Sequence, residues 1–171
     1  MCIRDRDWPF DVAREVLEVF RLPRRRLELV WNRSEIRVYS DYAHHPTEIR
    51  ALLDTVKGFG ARRVLAVFQP HRYTRTRALG SQFACAFDGV EQLWLLPVYA
   101  ASEPPLEGGH SEDLLHWFQT AGRPVPTLLA TLEEAWTAMR QAMRAGDIVL
   151  IIGAGDIEKL AERFRADAEA P

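Results

Sequence analysis

The sequence predicts an α/β fold, a mostly parallel sheet with helices on both faces. Three observations carry this expectation. From residue 35 onward, short apolar or β-branched runs alternate repeatedly with segments of helical spacing, which is the pattern of successive strand–helix units. The final run, Asp147–Ile152, is almost continuously apolar, as a strand covered on both faces must be. Most of the unusual polar residues follow directly after these runs, on the edge where open α/β sheets bind ligands. The arrangement expected is Rossmann-like.

The strands are expected at Glu35–Ser40, Arg63–Gln69, Gln92–Pro97, Pro126–Leu129 and Asp147–Ile152. The helices are expected at Pro46–Lys57, Arg75–Phe87, Ser111–Ala121, Leu132–Ala145 and Ile157–Ala166. Pro46, with Thr47 and Glu48, suits a first helical turn, where proline's missing N–H is not needed. Ser111 precedes Glu112 and Asp113, whose charges favour the positive end of a helix. Thr131 and Glu134 match a capping box. Gly58, Gly122 and Gly146 stand where helices should stop. Upstream, Leu27–Trp31 alternates like a strand. It is expected to pair with Glu35–Ser40 through Asn32-Arg33-Ser34, giving one antiparallel edge strand near the N-terminus. Trp94, Trp117, Trp136, Phe83 and Phe87 are expected in the core.

A length of 171 residues suits one domain with a short extra piece. Asp11–Phe20 reads as an amphipathic helix with Val12, Val16, Leu17 and Phe20 on one face, followed by the basic connector Pro23-Arg24-Arg25-Arg26. Residues 1–24 are set apart as an N-terminal piece, either an appendage to the α/β unit or the end of a preceding domain, and 25–171 are read as the domain. The first six residues resemble no domain start and read as an added scar. A net charge of -2 gives no reason to expect nucleic-acid binding. No apolar run approaches the roughly 18–20 residues of a membrane span, and the start lacks the apolar core of a secretory signal. Cys2 and Cys85 read as reduced thiols in a cytoplasmic protein, not as a disulfide framework.

Four loops at the expected carboxyl edge hold the candidate chemistry. The second, Pro70 to Arg77, crowds Arg72, Arg75 and Arg77 beside His71. Guanidinium forks bind carboxylate or phosphate in bidentate fashion, and cations at a helix N-terminus oppose the local dipole, so an anionic ligand is expected there. Arg72 and Arg75 would share a helical face if the helix begins near His71. A solvated basic helix start is the plainer alternative. The first loop holds Asp41, Tyr42, His44 and His45. These residues could bind a divalent metal, could meet a ribose hydroxyl, an ammonium or a phosphate, or could simply cap the helix at Pro46; all three readings stay open. After the third strand come Tyr99 and Glu103, ahead of a stiffening Pro104-Pro105. After the last comes Gly153-Ala154-Gly155-Asp156, which either admits a ligand to the backbone or is a tight turn.

These loops resemble known motifs. Asp41-Tyr42-Ala43-His44-His45-Pro46-Thr47-Glu48 is similar to the D-Y-[GA]-H-H-P-T-E segment of UDP-N-acetylmuramate–L-alanine ligases, within the Mur ligase family. Phe68-Gln69-Pro70-His71-Arg72-Tyr73-Thr74-Arg75-Thr76-Arg77 resembles the same group's F-Q-P-H-R-[YF]-[ST]-R-T-R and is the most specific of the matches. Val98-Tyr99-Ala100-Ala101 with Glu103 resembles V-Y-[AP]-A-G-E, and Gly153-Ala154-Gly155-Asp156-Ile157 resembles G-A-G-[DN]-I. Ser40 stands where the group often has a second aspartate, and Ser102 where glycine is usual.

The resemblance implies the carboxyl-terminal domain of an ATP-dependent, amide-forming ligase of peptidoglycan synthesis, joining L-alanine to UDP-N-acetylmuramate with ATP and Mg²⁺. The chain has no G-K-[ST] phosphate loop, so the central ATPase domain and the N-terminal UDP-binding domain are implied partners, and the chain alone is expected to be inactive. By the same resemblance Arg72 and Arg75 clamp the alanine carboxylate, Asp41 holds the ATP ribose, and Tyr42, His44 and His71 line the alanine and nucleotide pocket. His45, Tyr99, Glu103, Gly153, Gly155 and Asp156 lie around it. No general base and no metal ligand is assigned. Two rival readings are a metal-dependent phosphoesterase using Asp41, His44, His45 and His71, and a non-catalytic small-anion-binding module.

Overall fold

The computed structural model describes residues 10–19 and 23–169. The expected scar, Cys2 and Phe20 lie outside the described residues. In chain order the elements are α1 (Phe10–Val19), β1 (Glu28–Arg33), β2 (Ile36–Asp41), α2 (Pro46–Lys57), β3 (Arg63–Phe68), α3 (Tyr73–Ala84), β4 (Gln92–Leu95), α4 (Ser111–Thr120), β5 (Thr127–Leu128), α5 (Leu132–Ala142), β6 (Asp147–Ile152) and α6 (Glu158–Glu169). The strands form one sheet ordered β1-β2-β6-β3-β4-β5. Among the described residues only the β1–β2 pair is antiparallel, as the sequence predicts. The chain steps outward from β3 to β5 and then returns to insert β6 between β2 and β3. Right-handed crossovers in opposite directions put the connecting helices on opposite faces.

The two faces follow from side-chain alternation along the strands. Ala66, Phe68, Leu95 and Leu150 meet Ile49 and Val56 of α2, Phe83 of α3, and Leu114 and Phe118 of α4. Leu65, Val67, Trp94, Val149 and Ile151 meet Ala135 and Met139 of α5 and Leu160 and Phe164 of α6. Every residue of β6 is buried. Each large aliphatic or aromatic side chain so covered contributes about 1.5–3 kcal/mol.

Several boundaries differ from expectation. Asn32 and Arg33 pair with Arg37 and Ile36, so the hairpin turns at Ser34-Glu35 instead. Both turn residues have positive φ, 52° and 61°, as the tight turns that match strand twist require. α3 begins at Tyr73 and ends at Ala84, leaving Cys85 exposed at its end. α5 stops at Ala142, because Met143 turns extended with ψ 135°; Gly146, at φ 90°, serves the entry to β6 rather than the helix end. α4 is capped from His110, whose N–H donates to Asp113 (2.8 Å), while the Ser111 hydroxyl donates to the Leu96 carbonyl (2.6 Å). Trp117 is not core: it is 37% exposed and lies over Gly80, where a Cβ would come within 2.3 Å of its ring nitrogen. On α1, Val12 and Leu17 are exposed.

β6 starts on a buried charge. Asp147 is 1% exposed and accepts from Arg63 Nε (2.9 Å) and Nη2 (2.5 Å) and from the Arg144 N–H (2.7 Å). Burial pushes its carboxyl up, but Arg63 and the Arg144 N–H together outweigh burial and hold it below the usual aspartate range. A depressed carboxyl contributes stability that is complete above its unfolded pKa of about 3.9 and is lost as pH falls through the folded value. Asp147→Asn should therefore lower Tm at pH 7 and shrink the fall in Tm between about pH 5 and pH 2; thermal melts across that range check this. An unchanged acid limb in the variant would show that the pair does not carry it.

Candidate functional site

The parallel strands are in register at their carboxyl ends: Asp41 aligns with Ile152, Ile152 with Phe68, and Phe68 with Leu95. Their following loops therefore leave the sheet at one level. Backbone bonds continue the sheet beyond its strands. The Gly153 N–H donates to Asp41 O (3.1 Å), Gln69 N–H to Ile152 O (3.0 Å), Tyr99 N–H to Pro70 O (2.8 Å) and Arg72 N–H to Tyr99 O (2.9 Å). These bonds bring the loops named from the sequence together.

In the first loop the histidines divide their work. His45 is the N-cap of α2: its Nδ1 accepts from the Thr47 N–H (3.2 Å), and Glu48 accepts from the His45 N–H (3.1 Å). His44 Nδ1 lies 3.0 Å from the Tyr42 carbonyl and 3.5 Å from Glu48. Burial raises Glu48, but the His44 and His45 groups outweigh it and leave the carboxyl below its ordinary value. Asp41 accepts one backbone N–H on each oxygen, Leu27 at 2.7 Å and Ala43 at 2.8 Å, so it secures the connector as well as facing the edge. Rings form a continuous ladder across the edge. Tyr42 meets His44 at 5.4 Å, His44 meets His71 at 5.7 Å, and His71 stacks on Tyr99 at 5.6 Å.

The arginine cluster is built differently from the helical-face expectation. Because α3 begins at Tyr73, Arg72 is its N-cap, with φ 73°. Strained backbone of this kind persists where the surroundings over-determine it: Arg72 O accepts from both the N–H (3.1 Å) and the hydroxyl (2.9 Å) of buried Thr76. The Arg72 side chain is 51% exposed and 4.0 Å from Glu103. Arg75 Nη1 donates to the His71 carbonyl (3.2 Å) and lies 3.4 Å from His71 Nδ1. Arg77 runs elsewhere, its stem beside Gly108. Glu103 supplies the cap α3 lacks, accepting from the Thr74 N–H (3.0 Å) and hydroxyl (2.7 Å); these bonds, with Arg72 nearby, hold its carboxyl below the ordinary value. His71 is pushed down, first by burial, then by the charges of Arg75, His44 and Arg72, against a smaller pull from Glu103.

The glycine loop admits the chain itself. A Cβ on Gly155 would stand 2.5 Å from both the Tyr99 ring and Gln69 Oε1, and one on Gly153 would meet the Gln69 carbonyl at 3.0 Å. Gln69, absent from the sequence-derived site, is the organiser. Its buried amide donates to Asp156 (2.7 Å) and accepts from the Ile157 N–H (3.1 Å), tying β3 to the start of α6. A lone amide closing an apolar strand was the available signal. Arg25, in the basic connector, is likewise absent from that site. Its guanidinium donates to the Gly153 carbonyl, pairs with Glu158 (2.8 Å) and covers the Tyr42 ring (4.8 Å). Ser102 has φ 69°, which accounts for the glycine usual there.

The metal-centre reading finds no donor set. Among the described residues, no group of three His, Cys, Asp or Glu side chains could hold an ion, and His45 is committed to its helix cap. No described helix is long and apolar enough to cross a membrane.

Open α/β sheets bind ligands outside the carboxyl ends of their strands, and that is the edge where the arginines of this α/β domain gather. The chain belongs to the Mur ligase family: the family model described as "Mur ligase, glutamate ligase domain" matches residues 25–155. It is 41% identical over 154 residues to the UDP-N-acetylmuramate–L-alanine ligase of Desulforapulum autotrophicum, an alignment covering 90% of this chain and 34% of that protein. The crystal structure of UDP-N-acetylmuramate-alanine ligase MurC from Thermotoga maritima superposes with a TM-score of 0.73 at 26% identity, over 96% of this chain and 34% of that one. A bifunctional folylpolyglutamate synthase/dihydrofolate synthase from Yersinia pestis, complexed with AMPPNP and a Mn ion, shares the fold at 19% identity and TM-score 0.63, over 94% and 35% of the two chains. The chain thus spans about a third of the length of these relatives.

Gly155→Ala should push Tyr99 off His71 and cost about 1–3 kcal/mol, as overpacking does. A urea titration measures the loss, and the NMR shift of the His71 ring protons reports the broken stack. A variant as stable as the parent with an unshifted His71 would refute the wedge.

Proposed function

We propose that this chain is the carboxyl-terminal, amino-acid-binding domain of an ATP-dependent ligase that joins L-alanine to the lactyl carboxylate of UDP-N-acetylmuramate in peptidoglycan synthesis. The observation that carries the reading is the junction of Arg72, His71 and Arg75 on the sheet edge, inside the motif most specific to that group. The two guanidiniums hold the alanine carboxylate. Tyr42, His44 and His71 line the pocket, with Tyr99, Glu103 and the Gly153-to-Asp156 loop around it and His45 behind it.

Asp41 meets the ATP ribose. Each of its oxygens has a lone pair left after accepting one N–H, so the carboxylate fits a hydroxyl donor without losing its grip on the connector. ATP with Mg²⁺, when bound, supplies the phosphoryl group that activates the carboxylate. The phosphate loop belongs to a central domain, and the UDP-sugar to an N-terminal one. The domain boundary falls near residue 25, with 1–24 belonging to what precedes it; the family match beginning at Arg25 supports this. The assembled enzyme works in the cytoplasm.

Two outcomes test this. The isolated chain should release no phosphate from ATP with UDP-N-acetylmuramate and L-alanine, whereas the complete enzyme should; robust turnover by the chain alone would sink the fragment reading. In the complete enzyme, Arg72→Ala and Arg75→Ala should each raise KM for L-alanine with little change for UDP-N-acetylmuramate. Truncating one partner of a desolvated charge pair costs about 2–5 kcal/mol, roughly 30-fold to several-thousand-fold in affinity. Arg72→Lys should restore only part, since an ammonium lacks the planar fork. Arg77→Ala, whose stem lies at Gly108, is the internal control. A raised KM in that variant with none in Arg72→Ala would overturn the clamp.

A further inference from the structure

We propose that His71 is the general base of this ligase, taking a proton from the amine of the incoming amino acid through Nδ1; the proposal rests on the functional reading above. Its basis is the geometry of three groups. Arg75 Nη1 faces His71 Nδ1 at 3.4 Å. A guanidinium has donors only, so Nδ1 is the ring nitrogen with the free lone pair, and Nε2 carries the proton. An α-amino acid bears its amine one carbon from its carboxylate. A carboxylate received by Arg75 therefore delivers the ammonium to the space beside Nδ1, and in drawing the Arg75 N–H groups to itself it frees that lone pair. The same residue pair thus binds one end of the amino acid and deprotonates the other.

The ring is fixed for this task. It stacks on Tyr99 at an interplanar angle of 22° and meets His44 on another side, and its backbone is bridged to Tyr99. Charged or titratable groups face it from three elements: Arg72 and Arg75 at the start of α3, His44 after β2, and Tyr99 and Glu103 after β4. Burial and the neighbouring cations keep the imidazole neutral at pH 7, below the usual histidine value. Those cations also lower the proton affinity of an ammonium bound among them, which brings donor and acceptor toward each other.

The step balances with an acyl phosphate as co-reactant. One ammonium proton passes to Nδ1, giving imidazolium and a free amine. The amine lone pair attacks the acyl carbon, a C–N bond forms, and the C–O bond to phosphate breaks. Phosphate leaves with that electron pair and takes the second nitrogen proton. The imidazolium then returns its proton to solvent.

The test uses the complete ligase with L-alanine across pH. His71→Asn should lower kcat about 100- to 10,000-fold, leave KM for L-alanine within about threefold, and remove the acid limb of kcat/KM; added imidazole should restore part of kcat. An acid limb unmoved in His71→Asn, or a defect confined to KM, overturns the proposal while leaving the ligase reading intact. A parent enzyme that turns over no L-alanine overturns both. Independently of the variant, ¹⁵N NMR of the parent chain should show Nδ1 unprotonated at pH 7 and shifted further by L-alanine than by propionate, which draws Arg75 away but lacks the amine. A protonated Nδ1, or equal shifts with both ligands, refutes the assignment.

Discussion

The structure depends on one constraint, the burial of β6 between β2 and β3. A fully buried six-residue strand must have its backbone groups paired on both sides, since unpaired ones cost about as much as a lost hydrogen bond each. Its neighbours are the first and second parallel strands of the chain, laid down more than a hundred and about eighty residues earlier. The sheet's centre therefore closes only when the last strand arrives. The Arg63–Asp147 pair marks its entry, where a misplaced register would strand a charge inside the protein.

That closure also assembles the site. Because β6 is in register with both neighbours, the loops after β2, β3 and β6 leave the sheet side by side, and the Gly153 N–H can donate to the Asp41 carbonyl while the Gln69 N–H donates to that of Ile152. Gln69 then bridges to the head of α6. The missing side chains of Gly153 and Gly155 leave room for Gln69 and Tyr99, and Tyr99 in turn supports His71. Rigidity at the edge thus derives from contacts within the chain, and the arginines project from a framework already settled.

Electrostatics explain how such a cationic helix start is tolerated. Two arginines at the head of α3 oppose its dipole, and the helix has no side-chain cap of its own. Glu103 reaches across from the loop after β4 to supply both the cap and a counter-charge. It satisfies the helix without neutralising Arg75, whose guanidinium leans on His71 instead.

Much of this was legible in the sequence. Local signals determined the strands and helices: the unbroken apolar run of β6, the proline at the head of α2 and the alternation along β1 and β2. The polar residues after each strand marked the edge, because the path of a parallel sheet puts every such loop at one end. Tertiary structure alone decided what those residues do there. No local pattern could assign His45 to a helix cap and His44 to the ring ladder, since both share one tetrapeptide. Nor could spacing reveal that Arg72 leaves the helical face, because its left-handed backbone is imposed by Tyr99 and Thr76 from outside. The glycine loop suggested a ligand's approach, yet the approach is made by Tyr99 and Gln69, residues separated from it by more than fifty positions and brought there by the sheet. Periodicity reports which face of an element is buried; which neighbour arrives at that face is set by long-range pairing, and the sequence carries that information only through the fold it produces.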